Sequence, residues 1–301
     1  MLRLARPLAV VIPLFLFVTL AGLLPAVAGA ADLDSLRREI EANGWSFTVN
    51  DHFTSTLTEA RRAGLRGYAP PPGYDKELAS HLVILPQDKT LPSNFSWVDQ
   101  GGVTPVKDQS SCGSCWAFAA TAELEAHMKI RYGVTLDLSE QQVVSCNNYG
   151  AGCDGGWADA AYAVFQQKGG VLENCHPYLA ADPPQAACLQ DQFLKFAWVT
   201  GYRYISNNVT QIKTALLDGP VCTGIDANEA FEAYESGCFD APGSYVNHLV
   251  LIVGWDDRAC GGNGARGSPP ERATSRNWPN CWGRLAIRKG KSLGCASVPT
   301  Q

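Results

Sequence analysis

The sequence lacks an excess of basic residues. Its 24 Lys and Arg are outnumbered by 29 Asp and Glu, which leaves a formal net charge of −5 at pH 7. Proteins that bind nucleic acid rely on the opposite balance of charge. We therefore expect no nucleic-acid partner. The apolar fraction of 46% is that of a globular protein, and 301 residues suffice for one large domain or two modest ones.

Long apolar runs are scarce as well. Residues 8–24 form one; Arg3 and Arg6 precede it, and the small residues at 26–30 follow it. This order predicts a secretory signal peptide over residues 1–30, because the run is short for a membrane span and a cleavage site follows. The alternative is an uncleaved anchor. No later segment is apolar enough to cross a bilayer, so we expect a secreted, lumenal or periplasmic protein that leaves the membrane after cleavage.

A second cysteine pair that would complete a zinc site is also missing. Cys112 and Cys115 are separated by two small residues, a spacing found in zinc and redox sites. A zinc site needs a matching second pair, and a thioredoxin-like site stands in a βαβ context; the sequence shows neither. The residues that follow instead predict a helix over 116–132, which contains no Gly or Pro, and Gly133 ends it.

Cys115 is therefore predicted to lie at the N-terminus of a helix. A helix N-terminus carries about half a positive charge and unpaired N–H groups, so it favours the thiolate, which is the reactive form of cysteine. Gln109, six residues upstream, can offer a side-chain N–H to an oxyanion beside the backbone N–H of Cys115. This pattern predicts a nucleophilic cysteine.

A nucleophilic cysteine needs a base, and the chain has five histidines. His248 is the best candidate, because it directly precedes an apolar, strand-like run 133 residues after Cys115 (248 − 115). His127 is excluded, since it lies about 18 Å along the same helix. The others lie in the N-terminal region or in a Pro-rich loop: His52, His81 and His176.

The string Cys-Gly-Ser-Cys-Trp at 112–116 resembles the signature of papain-like cysteine peptidases, in which the histidine also follows at this distance. The resemblance points in the cathepsin B-like direction, because Trp45, Asn50 and Phe53 are spaced as in the short propeptides of those enzymes. It implies an α+β, two-lobed fold. A mainly helical lobe (about 92–195) would face a β-barrel-like lobe (about 196–301), with the active site between them.

The N-terminal region between the signal peptide and that domain differs from the rest. Residues 31–91 contain no cysteine; they predict a helix over 34–42, a second helical stretch up to Arg66, and a Pro-rich loop at 69–73. By resemblance this region is a propeptide that covers the cleft until it is removed. The alternative is a permanent extension. The peptidase domain would then span residues 92–301.

Helices are predicted first and strands later in that domain. Ser139 is the predicted N-cap of a helix, with Gln142 at the spacing of a capping box, and residues 158–168 and 209–217 are helical. Three stretches are rich in β-forming residues: 196–200, 202–205 and 219–225. This order matches the two lobes that the resemblance implies.

The resemblance also implies the substrate-binding residues. Gly155 and Gly156 would flank the groove and bind the main chain of a peptide, since glycines allow close backbone approach. Trp157 and Leu249 would make the adjacent side-chain pocket apolar. The alternative is a simple turn with a disulfide.

Eleven cysteines are compatible with an oxidising compartment. If Cys115 stays free, the other ten could form up to five disulfides. The resemblance suggests two of them, Cys112–Cys153 and Cys146–Cys188. The partners of the remaining six stay open: Cys175, Cys222, Cys238, Cys260, Cys281 and Cys295.

The expected third catalytic residue is where the sequence departs from the family. The family orients its histidine with an Asn in a string close to Asn-Ser-Trp-Gly, but residues 261–273 are rich in Gly and Pro, which disfavour a central strand. The nearest match is Asn280, in Asn-Cys-Trp-Gly. Either a real insertion precedes Asn280, or a reading-frame error or decayed stretch spans about residues 265–284; we favour Asn280.

These residues predict acyl transfer to sulfur. The Cys115 thiolate would attack a peptide carbonyl, Gln109 and the Cys115 N–H would hold the oxyanion, and His248 would protonate the leaving amine and then activate water. No metal or organic cofactor is required. The expected partner is a peptide or protein substrate, and we expect a monomer.

The predicted function is thus a secreted cysteine endopeptidase. Endopeptidase action is favoured because the sequence lacks the His-His pair of the occluding loop on which dipeptide release by cathepsin B-like enzymes depends. The alternative is a catalytically impaired homologue that binds peptides or proteins through the cleft. Ligation or transamidation is a third, minor possibility.

Overall fold

The computed structural model describes residues 32–51, 57–80 and 82–258. This part of the chain contains eight α-helices: α1 (Leu33–Asn43), α2 (Glu59–Ala63), α3 (Tyr74–Ser80), α4 (Cys115–Tyr132), α5 (Glu140–Cys146), α6 (Ala158–Lys168), α7 (Val209–Leu216) and α8 (Glu229–Glu232). It also contains eight strands: β1 (Ser46–Val49), β2 (Leu82–Val83), β3 (Asn94–Ser96), β4 (Tyr204–Ile205), β5 (Val221–Ile225), β6 (Tyr234–Cys238), β7 (His248–Ile252) and β8 (Gly254–Asp256).

The helix that begins at Cys115 is the central element of the helical lobe. α4 runs for 18 residues and ends at Gly133, whose left-handed backbone (φ 68°) suits a residue without a side chain. The helix contacts α5 and α6 on the helical side and β7 of the other lobe. Trp116, Leu138, Val143 and Phe165 are fully buried in one apolar cluster around it. This packing fixes the start of α4 at the boundary between the lobes.

α5 is a fully buried helix, and half of its predicted capping box forms. The Ser139 hydroxyl accepts the backbone N–H of Gln142 at 3.0 Å. The Gln142 side chain does not return to the backbone of Ser139, however. It donates to the carbonyl of Gly169 (2.6 Å) and accepts the N–H of Val171 (2.8 Å). The side chain that local sequence assigns to a cap therefore joins α5 to the end of α6.

A buried ion cluster holds the loop before Cys115 against the helical lobe. The Lys107 ammonium lies 2.8 Å from Glu125 of α4 and 2.9 Å from Glu140 of α5, and it also donates to the carbonyl of Leu138. Burial opposes the charge on Lys107, but the facing carboxylates raise its pKa well above the ordinary value. The loop that carries Gln109 thus starts from a fixed point.

The β lobe is organised around β7, which carries His248 as its first residue. β7 pairs antiparallel with β5, and His248 lies opposite Ile225 in this register. The neighbouring β8 pairs antiparallel with β3, so that Phe95 stacks on Trp255 with ring centroids 5.1 Å apart. His248 therefore sits at the end of a paired strand rather than in a loop.

The N-terminal segment packs on the β lobe and crosses to the helical one. β1 pairs antiparallel with β6, and Phe47 and Val49 are buried there. Farther along, the guanidinium of Arg66 lies 2.8 Å from Glu232 of α8, and that of Arg62 lies 3.1 Å from it. Burial raises the pKa of Glu232 to about 7 even beside these cations. This segment is thus a packed part of the structure.

One sequence-based prediction is wrong, and one possibility that the sequence left open is narrowed. Residues 196–200 do not form a strand; Ala197 makes a single bridge to Gly170, and Trp198 is exposed. Strong β propensity is insufficient here because the turn at Gly170 offers no further partner strand. In addition, Cys222 is a free thiol, so at most four disulfides remain possible (11 − 2 = 9 cysteines) rather than five. Among the described residues, no helix is both long and apolar enough to span a membrane.

Candidate active site

Cys115 occupies the first turn of α4 and is almost fully buried, with 1% of its surface exposed. Burial raises the pKa of its thiol to about 11, although the backbone N–H groups of Leu249, Gly67 and Trp116 face the sulfur and favour the thiolate. Removal from water therefore outweighs the helix N-terminus in this arrangement. The thiol is neutral at pH 7.

His248 faces the same space from the other lobe. Cys115, His248 and Gln109 all line a small cavity of about 80 Å³, and the N–H of Leu249, next to His248, reaches the sulfur of Cys115. Burial lowers the pKa of His248 to about 4, and the backbone carbonyl of Leu65 only partly offsets this. The imidazole is thus neutral at pH 7 as well. The structure brings the predicted nucleophile and base together as an uncharged pair.

Gln109 is buried beside the thiol, and its side-chain amide is occupied. The amide nitrogen donates to the carbonyl of Leu65 at 3.0 Å and to that of Cys112 at 2.8 Å. The Leu65 carbonyl stands where the sequence analysis expects a substrate oxyanion. A main-chain carbonyl of the N-terminal segment therefore uses the donor that a reacting carbonyl would need.

Gly155 and Gly156 lie against the same segment. The N–H of Gly156 donates to the carbonyl of Gly67, and the N–H of Ala69 donates to the carbonyl of Gly156, both at 2.9 Å. The N–H of Tyr68 donates to the carbonyl of Asn247 at 3.0 Å. The glycine loop thus binds an extended main chain, as the sequence analysis expects of it for a peptide.

Asn247 is a functional candidate that the sequence analysis missed. Its backbone holds the bound segment, and its side chain is fixed by the N–H of Ala227 (2.8 Å) and by Asp226 (3.0 Å). The signal that could have found it is its position directly before His248. Its backbone carbonyl lies at the start of the strand that carries His248, where it accepts the N–H of Tyr68.

Trp157 and Leu249 belong to the apolar surroundings of the glycine loop. Leu249 is buried in the apolar cluster around α4, and Trp157, which precedes α6, packs against that cluster with Tyr68. The side chain of Tyr68 thereby fills apolar space next to the glycine loop. This placement is compatible with the side-chain pocket expected from the sequence.

Disulfides fix the loops around the cleft. Cys112 is bonded to Cys153, and Cys146 is bonded to Cys188. The first bond ties the loop before Cys115 to the glycine loop, and the N–H of Gly113 donates to the carbonyl of Cys153 at 2.8 Å beside it. The cysteines at 175 and 238 are also disulfide-bonded.

The remaining candidates are not part of this cluster. His127 packs against Gly219, and His176 is buried in the helical lobe, where its carbonyl accepts the Ser139 hydroxyl. His52 and His81 lie outside the described residues, as does Asn280. The choice of Asn280 as the third catalytic residue stays a prediction.

The five residues 65–69 close the cleft, and Gly67 is at their centre. A Cβ atom on Gly67 would lie 1.8 Å from the carbonyl oxygen of Gly113 and 2.3 Å from its carbon. The N–H of Gly67 faces the sulfur of Cys115. The main chain of this segment thus lies over the thiol.

A thiol at a helix start and an imidazole at a strand end, facing each other between a helical and a β lobe, define a protein of the cysteine-peptidase class. The family model described as "Papain family cysteine protease" matches residues 91–290. The chain belongs to this family.

Individual relatives agree with this assignment. The chain is 38% identical over 216 residues to fruit bromelain of Ananas comosus, a match that covers 69% of this chain but 58% of the relative. It is 34% identical over 270 residues to digestive cysteine proteinase 2 of Homarus americanus, covering 84% of this chain and 78% of the relative. The match to fruit bromelain thus spans less than two thirds of that protein's length.

Solved structures show the same fold. Digestive procathepsin L2 proteinase from Tenebrio molitor aligns with a TM-score of 0.59 at 28% identity, over 74% of each chain. Bromelain protease from Ananas comosus in complex with the E64 inhibitor aligns with a TM-score of 0.52 at 38% identity, over 55% of this chain and 77% of that one. The two-lobed fold expected from the sequence is confirmed.

Proposed function

We propose that the chain is the latent precursor of a secreted cysteine endopeptidase. The observation that carries the proposal is the convergence of Cys115, His248 and Gln109 on one cavity, next to a glycine loop that binds extended main chain. The proposed substrate is a peptide or protein that enters this cleft.

The proposed reaction uses this chain's own groups. When solvent or substrate replaces residues 65–69, the proton of the Cys115 thiol passes to His248, and the thiolate attacks the peptide carbonyl. The amide of Gln109, released from Leu65, and the backbone N–H of Cys115 bind the oxyanion. His248 then protonates the leaving amine and takes a proton from the water that hydrolyses the thioester.

The proposed precursor organisation has a signal peptide at 1–30, a propeptide at 31–91 and the peptidase domain at 92–301. Support for an inhibitory propeptide comes from the contacts of residues 65–69, which occupy Gln109 and face the sulfur of Cys115. Burial under this segment favours the neutral thiol and imidazole. Removal of the segment would restore solvent and, with it, the charged pair.

The test uses the chain after its N-terminal segment has been removed, with a panel of fluorogenic peptides. We expect turnover that a thiol-alkylating reagent abolishes. Cys115→Ala and His248→Ala should each lower kcat/KM by more than about 10³-fold. Cys222→Ala is the matched control, because it removes the other free thiol of the described residues, and it should retain activity.

The opposite outcome has a clear meaning. If the processed chain neither cleaves any peptide nor reacts with the alkylating reagent at Cys115, the endopeptidase proposal is wrong. The impaired, peptide-binding homologue would then be the better description.

A further inference from the structure

One carboxylate beside the cleft has no role in the proposed reaction. Asp159 lies in the first turn of α6, three residues after Gly156, and 9% of its surface is exposed. Its two oxygens accept hydrogen bonds from tyrosine hydroxyls on different parts of the chain. Tyr74 donates to Oδ1 at 2.9 Å, and Tyr204 donates to Oδ2. The hydroxyl of Tyr202 faces the same carboxylate.

These tyrosines differ in origin. Tyr202 and Tyr204 belong to the proposed mature domain, whereas Tyr74 is the first residue of α3 in the proposed propeptide. The Tyr74 ring is 6% exposed and meets the Tyr204 ring edge to face at 6.5 Å. Tyr74 therefore binds Asp159 from a segment that the proposed processing would remove.

The site is continuous with the cleft. Five residues separate Tyr74 from Tyr68, whose backbone pairs with Asn247 and whose phenol lies within electrostatic reach of Asp159. The chain from Leu65 to Tyr74 thus runs from the thiol, past the glycine loop, to Asp159. A peptide bound along the same path meets these groups in the same order.

Loss of Tyr74 would remove one of the tyrosine hydroxyls at the carboxylate. Tyr204 and Tyr202 would remain, and the hydrogen bond of Tyr74 to Oδ1 would be open to a donor from a substrate. A hydrogen bond to a charged group is among the stronger ones. The rings of Tyr202 and Tyr204 pack edge to face with their centroids 6.0 Å apart, and Tyr202 is 42% exposed, so this aromatic surface beside the carboxylate suits an apolar stem or a cation.

We propose that Asp159, with Tyr202 and Tyr204, is a specificity-determining subsite of the mature cleft for a substrate side chain that ends in a hydrogen-bond donor. Tyrosine and lysine combine such a donor with an apolar stem, and Tyr74 shows how a phenol fits. This inference rests on the proposed peptidase function, since it concerns what the same cleft selects.

The first experiment measures kcat/KM of the processed chain on peptides that carry Tyr, Phe, Lys or norleucine at one position at a time, on either side of the cleaved bond. At one position we expect kcat/KM for the Tyr peptide to exceed that for the Phe peptide by about tenfold, and kcat/KM for the Lys peptide to exceed that for the norleucine peptide by a similar factor. Asp159→Ala should bring both ratios to within about twofold of one. Because each ratio compares two peptides on the same enzyme, a general defect in folding or chemistry cancels from it.

Asp154→Ala is the matched control. This carboxylate lies on the same loop but is exposed, so its loss should leave both ratios unchanged. Equal cleavage of Tyr and Phe peptides at every position, or a ratio that survives in Asp159→Ala, would overturn the inference.

A second experiment needs no turnover and uses the full chain. It measures the alkylation rate of Cys115, which requires residues 65–69 to open. Tyr74→Phe should raise this rate about tenfold, and Asp159→Ala, which also removes the acceptor of Tyr204, should raise it at least as much. Adding Tyr74→Phe to Asp159→Ala should raise it no further, because the acceptor of Tyr74 is then already gone. If the double variant instead shows the product of the two single-variant rate increases, Tyr74 does not act through Asp159 and the inference is overturned. If no peptide is cleaved in the first experiment, the peptidase proposal fails, while this cycle still decides whether Asp159 recognises a phenol.

Discussion

At the scale of single residues, the covering of the Cys115 thiol depends on the absence of a side chain at Gly67. The residue packs so closely on the carbonyl of Gly113 that a Cβ atom would overlap it at 1.8 Å. Its backbone also donates toward the sulfur of Cys115 and accepts from Gly156. The role of Gly67 is thus set by space and not by an unusual backbone angle.

Gly67→Ala should weaken the closure of the cleft. Because the neighbour is backbone, the overlap cannot be relieved by a rotamer change, and overpacking of this kind costs about 1–3 kcal/mol. We expect the alkylation rate of Cys115 in the unprocessed chain to rise by roughly 5- to 150-fold. Gly64→Ala is the matched control, since its Cβ would meet only ordinary contacts at 3.4 Å. Equal rates for Gly67→Ala and the parent chain would contradict this account.

At the level of secondary-structure elements, α4 and α5 are joined through the ammonium of Lys107. This cation lies between Glu125, Glu140 and the exposed Asp137. Burial raises the pKa of Glu140 to about 8, while Lys107 acts in the opposite direction. The two helices therefore depend on one side chain from the loop that leads to Cys115.

Lys107→Met should destabilise the fold by about 3–5 kcal/mol, because it leaves Glu125 and Glu140 buried without a cation. Carboxyl groups whose pKa is raised in the folded state bind more protons there than in the unfolded chain. Burial raises the pKa of Glu140 to about 8 while Lys107 is present, and removal of that cation raises this pKa further, so the loss of stability relative to the parent chain should be smaller at pH 5 than at pH 8. Urea unfolding followed by tryptophan fluorescence at pH 5 and pH 8 measures both effects.

Lys89→Met provides the comparison for that experiment. Lys89 pairs with Asp218 at 2.8 Å, but both side chains are 44% exposed, so the loss should stay below about 1 kcal/mol. Equal destabilisation by the two substitutions would show that the buried cluster has no special role.

At the scale of the whole molecule, two lobes and an N-terminal segment together remove the proposed catalytic pair from water. The thiol of Cys115 and the imidazole of His248 come from different lobes, and residues 65–69 cover both. Burial raises the pKa of the thiol to about 11 and lowers that of the imidazole to about 4. The latency that we propose would thus have an electrostatic cause as well as a steric one.

Alkylation of the unprocessed chain should report this state. At pH 7 the thiolate fraction is about 10⁻⁴ for a pKa of about 11 (11 − 7 = 4), so the rate should rise about tenfold per pH unit up to pH 11. Removal of the segment should raise the rate at pH 7 strongly. A Cys222→Ala background ensures that Cys115 is measured. A rate that is already at its plateau at pH 7 in the unprocessed chain would contradict the neutral pair.

Much of the fold was predictable because its signals are local. The helix from Cys115 to Gly133 follows from residue propensities and a glycine stop, and α6 ends at its two glycines as expected. The strand predicted at residues 196–200 does not form, because a strand needs a partner and the fold supplies a single bridge there. The capping box predicted at Gln142 forms only in part, because tertiary contacts at Gly169 and Val171 compete with the local cap.

The sequence by itself determined the chemistry of this protein: a thiol at a helix start, one suitably placed histidine out of five, and a glycine loop. These features depend on residue type and on spacing along the chain, which sequence records directly. Only the tertiary structure decided that the pair is neutral while covered, that Gly67 has no room for a side chain, and that Tyr74 reaches Asp159 across 85 positions. Desolvation and close contact depend on which distant segments meet, and no local pattern contains that information.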